Sequence, residues 1–323
     1  MKLGIVGCGL IGQKRATAAA AHQVTLVCDS DLERARALAA RTGAEAVDDW
    51  RKVVDADIDA VIVATTHDSL SEISRAAADA GKNVLVEKPA GRNLDEVEAL
   101  RDSARRSGVA VKVGFNHRFH PGLVKAKSIV AAGDLGPLHY IRGRYGHGGR
   151  VGYEEEWRCK RAMSGGGELI DQGSHLIDLS RWFLGDLVLD YAATPTYFWN
   201  IEVEDNCFLA LRGGRGEMAW LHATWTEWKN MFSFEIVGRD GKLTIDGLGG
   251  SYGTERLTLH KMLPQMGPPN TTTWEYPFPD ASWASEFEDF QAAVAGRPAQ
   301  IADIDDACAV LAIVEQAYTG TSQ

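Results

Sequence analysis

Lys2-Leu3-Gly4-Ile5-Val6-Gly7-Cys8-Gly9-Leu10-Ile11-Gly12, followed at once by Gln13-Lys14-Arg15-Ala16-Thr17-Ala18-Ala19-Ala20, is an apolar run, a glycine-rich turn and a strong helix former in that order. Strand, tight turn and helix are the setting in which a GxGxxG pattern carries meaning. Gly7 allows the sharp turn, Gly9 allows close approach of a pyrophosphate, and Gly12 allows the helix to pack tightly on the strand. The N–H groups at the helix N-terminus, reinforced by the helix dipole, then favour that anion. Gly7, Gly9, Leu10, Ile11 and Gly12 are the expected phosphate-side contacts of a dinucleotide.

A second strand, Val24-Thr25-Leu26-Val27-Cys28, ends in Asp29, about twenty residues after the glycines. A carboxylate there accepts hydrogen bonds from the ribose hydroxyls and repels a 2′-phosphate. Ser30-Asp31-Leu32-Glu33 brings no cation before Arg34, which favours NAD over NADP.

The chain of 323 residues has room for two domains, and its 45% hydrophobic and 24% charged residues are those of an ordinary globular protein. A net charge of −10 argues against nucleic acid or an anionic membrane as partner. The five cysteines (Cys8, Cys28, Cys159, Cys207, Cys308) are scattered, without CxxC spacing, and predict a reducing cytoplasm. Gln13-Lys14-Arg15 stands where a signal-peptide cleavage region is small and uncharged, so no leader is read there. No apolar run approaches the ~20 residues of a membrane span.

Strands and helices alternate through the first third. Helix Leu32–Arg41 ends at Gly43, and strand 59–64 is followed by helix Leu70–Ala80. Strand Asn83–Glu87, helix Leu94–Ser107 and strand Val109–Val113 complete the series. This alternation predicts an α/β fold with a doubly wound parallel Rossmann sheet, whose ligands bind beyond the carboxyl ends of the strands. Three loops lie there: Thr65-Thr66-His67-Asp68, Glu87-Lys88-Pro89 and Gly114-Phe115-Asn116-His117-Arg118. Thr65, Thr66, His67, Glu87 and Lys88 are the expected cofactor contacts, and Asn116 and Arg118 face the substrate side.

From about residue 118 the pattern changes. Helix His120–Ala132 and strand Leu138–Gly146 lead through a charged loop to a long helix, Gly167–Leu184. Four or five strands follow between Leu187 and Leu259, joined by glycine-rich turns, and predict an open, mainly antiparallel sheet. Met218–Trp228 and Met231–Val237 carry apolar residues on both alternating faces, so helices cover one side and a partner subunit the other. Helices Ala284–Ala295 and Ile304–Tyr318 finish the chain, after a Pro-rich surface loop, Leu263–Asn270. The expected division is 1–117 for NAD binding and 118–323 for substrate binding and oligomerisation.

Lys88 ends a strand that points into the crevice, where an ammonium can stabilise a developing alkoxide. Read alone, it is a surface lysine beside a turn, and the proline after it is a candidate cis residue. In Gly165-Gly166-Gly167-Glu168-Leu169-Ile170-Asp171-Gln172-Gly173-Ser174-His175-Leu176-Ile177-Asp178, a flexible glycine turn enters a helix. Asp171, His175 and Asp178 then fall at i, i+4 and i+7 on one face. A histidine one turn from a carboxylate is a poised general base. A buried structural His–Asp pair reads the same way, and a metal site lacks a third ligand at suitable spacing. In Tyr153-Glu154-Glu155-Glu156-Trp157-Arg158-Cys159-Lys160-Arg161, Tyr153 and Trp157 suit stacking on a sugar, and Arg158 with its neighbours can meet an anion. A solvated cluster balanced by the three glutamates is the alternative.

Together these residues resemble the Gfo/Idh/MocA family, named for glucose–fructose oxidoreductase, inositol dehydrogenase and a rhizopine-catabolism protein. The resemblance rests on Gly7-Cys8-Gly9-Leu10-Ile11-Gly12, Asp29, Glu87-Lys88-Pro89, Gly114-Phe115-Asn116-His117-Arg118-Phe119-His120-Pro121 and Asp171-Gln172-Gly173-Ser174-His175. It implies a Rossmann domain, a C-terminal α/β domain whose open sheet forms dimers or tetramers, and a catalytic Lys88 with Asp171 and His175 across the nicotinamide. His117 stands where many relatives carry arginine.

The expected activity is an NAD-dependent oxidation of a secondary alcohol on a sugar, cyclitol or sugar derivative. Two alternatives keep the fold. One is a glycosidase or aldose–aldose oxidoreductase that recycles its cofactor, and the other is a dinucleotide-dependent regulator without catalysis.

Overall fold

The computed structural model describes residues 1–320. The chain divides into two compact units, the first made of Met1–Asn116, Ala162–Gly165 and Trp283–Leu311, the second of His117–Arg161, Gly166–Ser282 and the remainder from Ala312.

In the first unit, strands β1 (Lys2–Val6), β2 (Gln23–Cys28), β3 (Glu45–Val47), β4 (Ala60–Val63), β5 (Asn83–Glu87) and β6 (Val111–Gly114) form one sheet in the order β3-β2-β1-β4-β5-β6. Every pairing in it is parallel. The helices between the strands are α1 (Leu10–Ala18), α2 (Leu32–Thr42), α3 (Trp50–Asp55), α4 (His67–Asp79) and α5 (Leu94–Ser107). The strands are continuous apolar runs because both faces are covered, and Ala60 through Val63 have no exposed surface. Strand order reverses between β1 and β4, which places the crevice of a doubly wound sheet beyond Val6 and Val63.

Three local features depart from the sequence reading. β3 and α3 are additional elements, the helix capped by Asp49 accepting from the Arg51 N–H. Helix α4 begins at His67 rather than Leu70, so half of the expected loop is its first turn, with Thr66 as N-cap and Asp68 near the helix dipole. The segment Trp283–Leu311 returns to the first unit, and Lys112 of β6 bridges to Asp303.

The second unit holds α6 (Pro121–Ala131), β7 (Leu138–Gly146), the short α7 (Arg161–Ser164, whose last three residues belong to the first unit) and α8 (Ser174–Leu184). It then runs through β8 (Leu187–Ala193), β9 (Asn206–Gly213), β10 (Met218–Thr224), β11 (Met231–Gly238), β12 (Gly241–Asp246), β13 (Glu255–Lys261) and β14 (Asn270–Tyr276). Eight strands form one sheet in the order β14-β13-β12-β11-β7-β10-β9-β8. It is antiparallel except between β7 and β10. Helices α6 and α8 pack on one face. The other face leaves Val188, Tyr191 and Trp220 more than half exposed. The run 263–269 is largely exposed, and β14 follows it. Helices α9 (Ser282–Val294) and α10 (Ile304–Gly320) close the described chain.

The long helix expected over Gly167–Leu184 is not one α-helix. Leu169–Gly173 is a π-helical segment, and the α-helix proper starts at Ser174. The glycines before it are also tighter than a flexible turn. A Cβ on Gly167 would press into the Glu204 carbonyl, and one on Gly166 into the Tyr318 hydroxyl. Glu204, 4% exposed, accepts from the Gly167 and Leu169 N–H groups at 3.0 and 3.1 Å and from the Tyr318 hydroxyl at 2.7 Å. A buried carboxylate with three donors fixes where the π segment begins.

Candidate active site

In the first unit the glycine loop has the shape a dinucleotide requires. Gly7 has φ +95°, and a Cβ on Gly12 would press into the Gly7 carbonyl, whereas one on Gly9 would meet open space. The tight positions are thus those of the turn and of helix–strand packing, and the open one faces the ligand. Helix α1 begins at Leu10 with Gly9 as N-cap and no side-chain cap, which leaves its first N–H groups to an anion. Leu10 is 72% exposed on this rim. Asp29 is half-buried, its carboxylate accepting from the Cys8 N–H at 2.8 Å and the Asp31 N–H at 2.9 Å. Nearby cations are already matched, Arg34 by Asp31 at 3.3 Å and Arg36 by Glu33 at 2.5 Å. Nothing there invites a 2′-phosphate, and the residues fit NAD.

Gly12→Ala follows as a test of this cradle. Overpacking costs about 1–3 kcal/mol. Because the added methyl lies at the phosphate loop, NADH affinity is expected to fall about tenfold or more, read by fluorescence titration. Unchanged affinity in a folded variant would remove the loop from the cofactor site.

The other first-unit candidates are held as follows. Thr65 and Thr66 are half-buried at the end of β4, and the Thr66 hydroxyl donates to Asp68 at 2.5 Å. His67 is 5% exposed, with Nδ1 2.8 Å from the Ser164 carbonyl oxygen. Asn116 is buried. Lys88 is half-buried just past β5 and precedes Pro89 through a cis bond. Glu87 is buried, and its carboxylate is taken by the Arg15 guanidinium, with Nε at 2.6 Å. Its Oε1 also faces Arg15 Nη2 at 2.5 Å.

The second unit gathers a separate set. His175, at the start of α8, stacks on His117, with ring centroids 3.7 Å apart and planes 20° from parallel. Tyr145 of β7 sets its ring against both, at 5.2 Å from His117 and 6.3 Å from His175. The Tyr252 oxygen accepts from Gln172 Nε2 at 3.2 Å and shares a hydrogen bond with the Tyr145 hydroxyl. Burial pushes the Tyr252 hydroxyl up to about 12 and Tyr145 well above its ordinary value, so both stay protonated donors near neutral pH.

The chain just after His117 is anchored at two points. Arg118 grips Asp178 in a bidentate pair, Nε to Oδ2 at 2.9 Å and Nη2 to Oδ1 at 2.6 Å, with both residues buried. His120 lies 3.2 Å from Glu255, which also accepts from the Gly122 N–H at 2.6 Å. Arg118, expected on the substrate side, therefore has its guanidinium bound inside the unit.

Asp171 accepts from Arg158 at 3.2 Å, and Arg158 also meets Glu156 at 3.0 Å. Burial works against the Arg158 charge, and Asp171, Tyr153 and Glu156 outweigh it, so its pKa is raised. Arg150 pairs with Glu156 at 2.6 Å, and Lys160 lies 3.9 Å from Glu155. Arg158 and Lys160 thus have carboxylates of Glu156, Asp171 and Glu155 beside them, and the Arg161 guanidinium donates to the Glu202 carbonyl oxygen at 3.1 Å. The guanidinium of Arg158 also lies over Trp157, half-buried, at 5.4 Å from its ring centre. Tyr153 is only 1% exposed and packs with Cys159, Val203 and Trp225. It is a core ring beneath the charged loop rather than an open stacking platform.

The π segment accounts for a difference at Asp171. With i→i+5 geometry over Leu169–Gly173, the i, i+4 relation to His175 assumed from an α-helix is shifted. Arg158 pairs with Asp171, His117 stacks on His175 and Arg118 pairs with Asp178. Sequence reasoning passed over Arg15, Tyr145, Gln172 and Tyr252. Arg15 had one signal, its place three residues after Gly12 on the helix face that packs inward. Among the described residues no group of three His, Cys, Asp or Glu side chains is arranged to hold a metal, and no helix is long and apolar enough to cross a membrane.

Residues 1–115 match the NAD-binding Rossmann-fold domain of the GFO/IDH/MocA oxidoreductases, and residues 123–244 match a GFO/IDH/MocA C-terminal domain. The chain belongs to the Gfo/Idh/MocA family. It is an NAD-binding oxidoreductase. A levoglucosan dehydrogenase of Pseudarthrobacter phenanthrenivorans is 26% identical over 286 residues, covering 76% of this chain and 73% of that protein. An inositol 2-dehydrogenase of Saccharopolyspora erythraea is 30% identical over 229 residues, covering 67% of this chain and 64% of its own length. Among solved structures, levoglucosan dehydrogenase in complex with NADH and levoglucosan superimposes with a TM-score of 0.89 at 23% identity, over 100% of this chain and 97% of that one. GenD2 from gentamicin A biosynthesis, in complex with NAD, gives 0.85 at 26% identity over 100% and 94%.

Proposed function

We propose that this family member oxidises a secondary alcohol of an uncharged sugar or cyclitol. The observation that carries the choice of an uncharged substrate is the pairing of Arg150, Arg158 and Lys160 with Glu155, Glu156 and Asp171, while the Arg161 guanidinium donates to the Glu202 carbonyl oxygen at 3.1 Å. The relatives named for levoglucosan and inositol support the same class.

The loop Gly7–Gly12 and Asp29 hold NAD, which when bound supplies the hydride acceptor. His175 Nε2 or Nδ1 takes the hydroxyl proton, and the flat contact with His117 holds the imidazole plane still while it does so. Lys88 Nζ hydrogen-bonds the same substrate oxygen and stabilises the alkoxide character that develops as the proton leaves. Asp171 and Arg158 form one fixed wall of the substrate side, with Trp157 beside them, and Asn116 contributes an amide. Arg118 acts through Asp178 to place His117.

We also infer that a second copy of the chain covers the sheet face bearing Val188, Tyr191 and Trp220, giving a homodimer or homotetramer. The five cysteines are all buried and unpaired, which supports a reducing, cytoplasmic setting.

The test is reduction of NAD, with NADP in parallel, across anhydrosugars, cyclitols, aldoses, uronates and sugar phosphates. Turnover is expected with neutral members and NAD. A preference for uronates or phosphates would overturn the uncharged-substrate reading.

A further inference from the structure

Arg15 is a charged side chain with no exposed surface, held in α1 directly behind the glycine loop. Its guanidinium binds two carboxylates, Glu87 at the end of β5 and Glu286 of α9, the latter also fully buried. The indole of Trp283 lies over it, 4.7 Å from ring centre to Cζ. A Cβ on Gly114, at the end of β6, would press into Arg15 Nη2 and lie 3.1 Å from Glu87 Oε1, so that glycine clears the space the network fills. One guanidinium thereby joins α1, β5, β6 and α9.

Burying one cation with two anions is costly, and apolar side chains of similar volume would pack at least as stably. What such a network does supply is a fixed geometry. Successive side chains of a strand point to opposite faces. Clamping the Glu87 carboxylate on one side of β5 therefore fixes the backbone from which Lys88 departs.

We propose that Arg15 and Glu286 are positioning residues for Lys88, acting through Glu87. The proposal rests on the reading of Lys88 as the residue that holds the substrate oxygen. It assigns the glutamate of Glu87-Lys88-Pro89 to the support of the lysine rather than to contact with the cofactor. It also makes the returning helix α9 part of that support.

The test uses Glu286→Gln, which keeps the shape and leaves Arg15 paired with Glu87, and Arg15→Lys, which keeps the charge and loses the fork. Trace acetylation of the full-length protein with acetic anhydride, read by mass spectrometry, gives the reactivity of Lys88 against exposed Lys125 without requiring a substrate. Both variants are expected to change that ratio several-fold. With any sugar that turns over, kcat is expected to fall about tenfold while NADH affinity stays within about twofold. An unchanged Lys88 ratio in folded Glu286→Gln overturns the proposal, as does a loss confined to thermal stability. Should Arg15→Lys fail to fold, Glu286→Gln decides. A wild-type protein silent toward every sugar sinks the substrate reading, and the labelling ratio still tests the positioning.

Discussion

Replacing His175 by alanine is expected to lower kcat by about two to four orders of magnitude, the usual weight of a placed general base, while NADH affinity holds. The imidazole is 5% exposed and lies flat on His117, so its plane is set before substrate arrives. Tyr145 borders it and is backed by Tyr252, and burial keeps both hydroxyls protonated. Removing the ring takes away the proposed proton acceptor and leaves the glycine loop and Asp29 untouched. Stopped-flow reduction of NAD and NADH fluorescence titration separate the two quantities. Turnover within about tenfold of the parent would remove His175 from the chemistry.

The second large effect concerns stability. Asp178→Ala is expected to cost about 3–5 kcal/mol, because it takes the paired carboxylate from a buried guanidinium. Asp178 is 1% exposed and Arg118 6%, and their two hydrogen bonds are 2.9 and 2.6 Å long. Urea unfolding followed by tryptophan fluorescence reads the loss. Because Arg118 follows His117 directly, the same change is expected to lower kcat in whatever fraction remains folded. A loss below about 1 kcal/mol would mean that water or another partner takes over the guanidinium.

The parallel sheet was legible because its strands are unbroken apolar runs and its glycines fall at the turn, the ligand face and the helix contact. Less legible was β3–α3, where three strand residues and one turn and a half of helix leave too short a period to read. The π segment was hidden for another reason. Leu169, Ile170 and Leu176 keep an apolar pattern through it, and only the Glu204 carboxylate, thirty-five residues after Leu169, shows where it is pinned. Arg118 reads as a cation facing a ligand until Asp178, sixty residues on, closes on it. Arg15 was passed over for the same reason, since its second carboxylate lies 271 residues away. Long-range ion pairs leave no local period, so a charged residue beside a motif looks available when the fold has already matched it. Tyr145 and Tyr252 were missed alike, each being an ordinary strand or loop tyrosine until the sheet brings them together.

The most direct measurement is the fate of the carbinol hydrogen. A neutral sugar or cyclitol that turns over, carrying deuterium at the oxidised carbon, should deliver that deuterium to the nicotinamide, one label per NADH released into solution, with a primary isotope effect on the chemical step. Label that never appears in free NADH, and instead returns to a sugar product while no net reduction accumulates, would contradict a simple dehydrogenase and identify a catalyst that recycles its cofactor.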